Sequence, residues 1–62
     1  GNAYYMLGQY WRAIQDYDQA ILLDPGDAVT YVNRGNAYYY LSLSQSAQSD
    51  WDTACLLDTT YC

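Results

Sequence analysis

The chain has 62 residues, of which seven are aspartate and two are arginine, and its formal net charge is -5. A single core in so short a chain supplies only about 3–5 kcal/mol of net stability, so help from a neighbouring unit or a staple is expected. The high hydrophobic content, 52%, argues against disorder. Two cations are too few for a nucleic-acid partner, and no apolar run approaches the roughly 18 residues of a membrane span.

The first predicted element is a short helix over residues 2–7, followed by a turn at Gly8. A second helix is predicted over about residues 10–23, because its apolar residues recur at the i, i+3, i+4 and i+7 spacing of an α-helix. The sequence Asp24-Pro25-Gly26-Asp27 ends this helix, since proline disfavours helical backbone at the residue before it. Asp27 then suits the N-cap position of a further helix.

A third helix is predicted over about residues 28–41 and a fourth over about residues 45–58, with a frayed end. These four helices predict an all-α fold. The break between the third and fourth helices, at residues 42–44, lacks a glycine. Without glycine at Ser42, the two helices could fuse or hinge open, which would favour exchange of helices between chains.

An internal repeat organises the chain. The pentapeptide Gly-Asn-Ala-Tyr-Tyr occurs at residues 1–5 and again at residues 35–39, an offset of 34 positions. The same offset aligns Ala13 with Ala47 and Ala20 with Ala54, and it aligns the Leu-Leu-Asp sequence at 22–24 with that at 56–58. The chain therefore divides into a truncated first unit, residues 1–27, and a second unit, residues 28–62.

Helix pairs that repeat every 34 residues resemble the tetratricopeptide repeat family. The motif residues in the first unit are Gly1, Tyr4, Gly8, Ala13, Tyr17, Ala20 and Pro25; those in the second are Tyr31, Arg34, Gly35, Tyr38, Ala47, Trp51 and Ala54. The resemblance implies a segment of an α-solenoid. It also implies that the alanines lie where two helices approach closely and that the aromatic residues fill the space between them. The second unit departs from the motif at Ser42 and Thr59.

The third helix is apolar on two faces, so it is either buried on both or presents one to a partner. By resemblance, one face packs inside the unit and the other lines a concave groove for an extended peptide or a partner helix. Asparagine suits such a groove because its amide both donates and accepts hydrogen bonds, and tyrosine is enriched at interface hot spots. The expected groove residues are Asn2, Tyr5, Met6, Val29, Val32, Asn33, Asn36, Tyr39 and Tyr40.

The remaining polar and sulfur side chains suggest no catalytic site. A chain without histidine lacks imidazole for a nucleophile pair or a metal, and no cofactor is expected. Four of the aspartates that recur at the repeat offset are interpreted as solvated residues on the outer side of their helices: Asp16, Asp18, Asp50 and Asp52. On one continuous helix Cys55 and Cys62 would lie roughly 10 Å apart, too far for a disulfide, so they are interpreted as small apolar residues.

The sequence therefore predicts a non-catalytic module that binds a peptide or partner helix on this groove, with no nucleic-acid or membrane partner. The alternative is a self-association module that completes its stack as a homo-oligomer, since a unit of this kind cannot bury its apolar face alone. If the chain is a fragment of a longer array, neighbouring repeats would bury this apolar face instead. With no signal peptide or transmembrane segment recognised, a cytoplasmic location is expected.

Overall fold

The chain forms three α-helices and a final 3-10 turn in a computed structural model, which describes the backbone of residues 2–62 and the side chains of residues 8–62. The helices are α1 (Asn2–Leu23), α2 (Ala28–Tyr40) and α3 (Ser44–Leu57), and the 3-10 turn spans Thr59–Tyr61. No strand occurs in this described part of the chain. The predicted all-α fold class is confirmed.

The turn predicted at Gly8 does not form, because α1 runs through this residue without a break. Gly8 does not adopt a positive φ, and a Cβ atom built on it would meet nothing within 4 Å. Glycine permits a turn but does not impose one, and leaving it in a helix costs only about 1 kcal/mol relative to alanine. The predicted helix over 2–7 and the predicted helix over 10–23 are therefore one helix.

The connection between α1 and α2 is stabilised by two aspartates. The Asp24 carboxylate accepts a hydrogen bond from the Gly26 backbone N–H at 3.3 Å. Asp27 is the N-cap of α2: its Oδ1 accepts from the Val29 N–H at 3.1 Å, and its Oδ2 accepts from the Thr30 hydroxyl at 3.0 Å. These bonds satisfy backbone donors that the first turn of a helix leaves unpaired.

The connection between α2 and α3 is a closed turn in which Ser42 takes the position usual for glycine. Ser42 has φ 62°, in the left-handed region. Its N–H donates to the Tyr39 carbonyl at 3.0 Å, and the Leu43 N–H donates to the Tyr38 carbonyl at 2.9 Å. This pair of bonds is a Schellman motif. The helices on either side neither fuse nor open at Ser42, and the serine adopts a conformation that costs an L-residue about 1–2 kcal/mol.

Close approach of α2 and α3 forms the core. Ala47 and Ala54 are fully buried at 0% exposure, and Gly35 of α2 lies directly over this face. A Cβ atom on Gly35 would come within 2.6 Å of Trp51 Nε1 and 3.2 Å of the Ala47 carbonyl oxygen. Among the described side chains, the buried hydrophobic residues are four alanines and Ile14. The core is therefore thin, because it is built mainly from small side chains.

The end of the chain corrects the interpretation of the cysteines, because Cys55 and Cys62 form a disulfide with their Cα atoms 4.7 Å apart. The helix does not continue through both residues: α3 ends at Leu57, and Asp58 is extended. The Asp58 carboxylate accepts from the Thr60 backbone N–H at 3.0 Å, which lowers the pKa of Asp58 and fixes the 3-10 turn. This turn folds Cys62 back onto the last part of α3.

Candidate functional site

A single cation, Arg34 on α2, connects all three helices. Its Nε and Nη2 atoms donate to the two carboxylate oxygens of Asp50 on α3, at 2.8 and 2.7 Å, while Nη1 donates to Asp18 on α1 at 2.8 Å. The Tyr31 and Tyr38 rings lie 5.5 and 5.8 Å from the guanidinium carbon. Bidentate geometry of this kind fixes both distance and orientation.

The environment of this cluster contradicts the interpretation of Asp50 as a solvated residue. The Asp50 side chain is 6% exposed and the Arg34 side chain 20%, whereas Asp18 remains about half exposed. The hydrogen bonding that Arg34 donates to Asp50 is the largest influence that raises the pKa of the Arg34 guanidinium above its usual value, against the opposing effect of burial. Burial disfavours an unpaired carboxylate, so Asp50 depends on this partner.

An open groove lies between α1 and α2, with a volume of about 330 Å³. The Tyr10 ring stacks on the Tyr40 ring across one side of the groove, with centroids 5.2 Å apart and an interplanar angle of 13°. None of the lining residues carries a formal charge at neutral pH. They are Gln9, Tyr10, Ala13 and Tyr17 from α1, and Asn33, Asn36, Ala37 and Tyr40 from α2.

Three of the residues expected from the sequence, Asn33, Asn36 and Tyr40, thus lie together on one wall. The opposite wall was missed, since the repeat pattern assigned Ala13 and Tyr17 to internal packing. The repeat offset gives no signal for this wall. Ala13 aligns with Ala47, which is fully buried under α2, but in the structure Ala13 is only half-buried.

The structure places the other expected groove residues elsewhere or does not describe them. Tyr39 is exposed and leans towards α3, with its ring centroid 5.9 Å from that of Trp51. Val29 lines a separate cavity near the end of the chain, together with Asp27, Leu57 and Tyr61, and Val32 is half-buried. The side chains of Asn2, Tyr5 and Met6 lie outside the described residues.

Large apolar side chains are exposed where α1 and α3 end. Leu22 and Leu23 are 84% and 87% exposed, and Leu56, the repeat equivalent of Leu22, is 87% exposed. Isolated exposed leucines are ordinary, but paired leucines at equivalent positions of two units form recurring apolar patches. These ends can pack against further helices.

The described residues offer no cluster of three metal-binding side chains. Over the same part of the chain, no helix combines the length and the apolar character needed to cross a membrane. The groove between α1 and α2 presents amide groups, phenol rings and methyl groups.

Comparison with known proteins gives one match. A protein-family model described as a TPR repeat matches residues 1–42, which comprise α1, α2 and the start of the turn that follows. Neither the curated proteins nor the solved structures that were searched contain a match.

Proposed function

The chain belongs to the tetratricopeptide repeat family, whose repeats mediate protein–protein interactions, and from this we propose that it is a non-catalytic module that binds a peptide or partner helix in the groove between α1 and α2. The observation that supports this site is its uncharged lining, with Asn33, Asn36 and Tyr40 on one wall. Side-chain amides can pair with the backbone of an extended peptide, and tyrosines supply apolar area with a polar end.

The proposal favours partners of a particular chemistry. Because the groove is neutral while the chain carries a net charge of -5, acidic segments are repelled and the binding energy must come from apolar contacts and amide hydrogen bonds. A neutral or basic peptide with aromatic or aliphatic anchors fits these conditions. Nucleic acid does not, since of the two arginines in the chain Arg34 is already paired with two aspartates.

A peptide-selection experiment tests this site. A phage library of random 12-residue peptides is panned on the immobilised chain, and a selected peptide is resynthesised with a fluorescent label for anisotropy titration. We expect the Asn36→Ala, Tyr40→Ala double variant to weaken binding at least tenfold. The control Gln15→Ala, on an exposed part of α1 outside the groove, should bind as the native chain does. Equal affinity of all three proteins, with unchanged helical circular dichroism, would assign binding to another surface.

A second candidate function is self-association, and the thin core favours it. No large side chain among the described residues is completely buried, while Leu22, Leu23 and Leu56 are more than four-fifths exposed. A unit with this distribution gains stability by stacking on another. Sedimentation velocity at micromolar concentrations measures the oligomeric state and so tests self-association. A chain that is monomeric at all concentrations would contradict it.

The compartment in which the module works is a further part of the proposal. Disulfides persist in oxidising environments and are rare in the reducing cytoplasm. The Cys55–Cys62 bridge therefore favours an oxidising compartment over the cytoplasmic location expected from the sequence. The redox state of Cys55 and Cys62 can be measured by mass spectrometry, after the protein from its native source is alkylated without reductant. Alkylation of both thiols would contradict the oxidising compartment and favour the cytoplasm.

A further inference from the structure

The second repeat unit shows what a helix needs in order to cover the alanine face of α3. Gly35 of α2 lies over Trp51 and the Ala47 carbonyl oxygen, so closely that there is no room for a Cβ atom. The preceding residue, Arg34, donates two hydrogen bonds to the carboxylate of Asp50. The Arg-Gly pair of α2 therefore has two functions: the glycine permits close approach, and the arginine pairs with an aspartate that the helix buries.

Two tyrosines on either side of this pair complete the pattern. Tyr31 and Tyr38 lie about one turn before and one turn after Arg34, with their rings 5.5 and 5.8 Å from its guanidinium carbon. An aromatic face attracts a cation at such distances. Both tyrosines are half-buried. The helix that covers α3 thus carries the spacing Tyr-x-x-Arg-Gly-x-x-Tyr, at residues 31–38.

The first unit has an equivalent face on α1, which no helix covers in the part of the chain that the structure describes. On α3 the two alanines and the aspartate of this face are buried, whereas on α1 the alanines are only half-buried and the aspartate is exposed. The groove between α1 and α2 is open along this face. The offset of 34 residues aligns Ala13 with Ala47, Asp16 with Asp50, Tyr17 with Trp51 and Ala20 with Ala54.

We propose that the groove between α1 and α2 binds a helix of a partner protein, and that this helix carries an Arg-Gly pair with a tyrosine about one turn away on each side. The inference rests on the proposed function, because it names the class of partner for the same groove. The partner's glycine lies against Ala13 and Tyr17, and its arginine binds Asp16. On its other side the helix contacts the α2 wall, where Asn33 and Asn36 supply amide groups.

The charges of the chain favour a partner of this kind. Asp16 follows Ala13 by three residues and therefore lies on the same side of α1. Among the described side chains both ion pairs are made by Arg34, and the exposed Arg12 near Asp16 makes none with it. A covering helix would bury the Asp16 carboxylate, which is unfavourable without a cation. A helix with an arginine is therefore accepted and is attracted to a chain of net charge -5, whereas a helix without a cation is rejected.

A synthetic peptide with the sequence of residues 28–41 is a suitable probe, because it contains the whole pattern, one arginine and no acidic residue. Fluorescence anisotropy of the labelled peptide, titrated with the oxidised native chain, measures the dissociation constant. We expect this constant to rise between 20 mM and 500 mM NaCl, because salt screens the attraction between opposite charges. A free peptide of this length is only marginally helical, so binding as a helix should increase the circular dichroism at 222 nm beyond the sum of the separate components.

Substitutions on both sides test the contact between the arginine and Asp16. Asp16→Asn in the chain and Arg34→Gln in the peptide should each raise the dissociation constant at least tenfold, and the two together should raise it little further, because they remove the same contact. Gly35→Leu in the peptide should abolish binding, since the crossing has no room for the larger side chain. The control Gln15→Arg makes the net charge of the chain less negative by the same amount as Asp16→Asn, at an exposed position outside the groove, and should leave most of the affinity.

Three outcomes overturn the inference. The first is no binding of the peptide by a chain with native circular dichroism, and the second is binding that Asp16→Asn and Gln15→Arg weaken equally. The third uses Asp52→Asn, because the exposed Asp52 of α3 is the repeat equivalent of Asp18, which also binds Arg34. Loss of binding in Asp52→Asn but not in Asp16→Asn would place the helix on α3. A chain that fails to bind this peptide but still binds the phage-selected peptide in the groove contradicts the helical partner and leaves the proposed function intact.

Discussion

The substitution Gly35→Ala tests whether α2 and α3 approach as closely as the structure shows. The added methyl carbon would lie 2.6 Å from Trp51 Nε1, 2.7 Å from Trp51 Cδ1 and 3.2 Å from the Ala47 carbonyl oxygen. The first two contacts involve a rigid indole ring and the third involves helix backbone, so the helices must separate. Overpacking of this kind costs about 1–3 kcal/mol, and the upper part of that range applies here.

The helix-forming preference of alanine offsets part of this cost. Alanine is better than glycine by about 1 kcal/mol inside a helix, which leaves a net loss of about 2 kcal/mol for Gly35→Ala. In a domain of this size a loss of 1 kcal/mol lowers the midpoint of thermal unfolding by about 4–8 °C, so a decrease of about 8–16 °C is expected. The matched control is Gly8→Ala, where the new methyl group meets nothing and the midpoint should rise by about 4–8 °C.

Circular dichroism at 222 nm, recorded during heating at one protein concentration with the disulfide oxidised, measures all the variants. The double variant Gly35→Ala, Trp51→Phe should recover part of the loss, because the smaller ring leaves room for the methyl group. Equal shifts of Gly35→Ala and Gly8→Ala in the stabilising direction would refute the reasoning, since helix preference alone would then explain both.

Three further predictions concern the cation, the turn and the disulfide. Arg34→Met leaves the buried Asp50 without a partner and should lower the free energy of unfolding, measured by urea titration, by about 3 kcal/mol. The control Arg12→Met, at an exposed position, should change it by less than about 0.5 kcal/mol. Equal losses in the two variants would contradict the role of the cluster. Ser42→Gly relieves the positive φ and should raise the unfolding free energy by about 1 kcal/mol, while a loss would show that the left-handed turn is absent. Cys62→Ser removes the disulfide to α3 and should lower the free energy of unfolding by up to about 2.5 kcal/mol. The native chain in reductant should lose the same amount. A loss in the reduced native chain but not in Cys62→Ser would show that the disulfide is not its cause.

Local residue chemistry was enough to predict the end of a helix at Pro25, the N-cap at Asp27 and the break at residues 42–44, but its prediction of a turn at Gly8 was wrong. Gly8 was expected to form a turn and is helical, whereas Ser42, where fusion or opening of the two helices was considered, forms a closed turn. The difference lies in tertiary packing. Contact of Gly35 with α3 brings the chain back at Ser42 in spite of its strained φ, whereas a Cβ atom on Gly8 would meet nothing within 4 Å. Propensity is a weak preference that packing overrides.

The candidate site was accessible from the sequence only in part, for a similar reason. Helical periodicity places Asn33, Asn36 and Tyr40 on one face of α2, and this needs no knowledge of other helices. The α1 wall depends on how α1 crosses α2, which the repeat pattern alone does not define. The disulfide depends on where α3 ends, and a change of a few residues there moves Cys62 from beyond reach to bonding distance of Cys55.

The shared cation has a consequence for how the chain unfolds. In a stack of repeats, adjacent units are coupled only through their contacts, and weak coupling lets each unit melt independently. Here Arg34 binds carboxylates from the helix before it and the helix after it, each sixteen residues away in the sequence. When α1 detaches, the guanidinium that secures Asp50 loses one of its two partners, so α2 and α3 are weakened as well. Melting of α1 is thereby coupled to melting of α2 and α3.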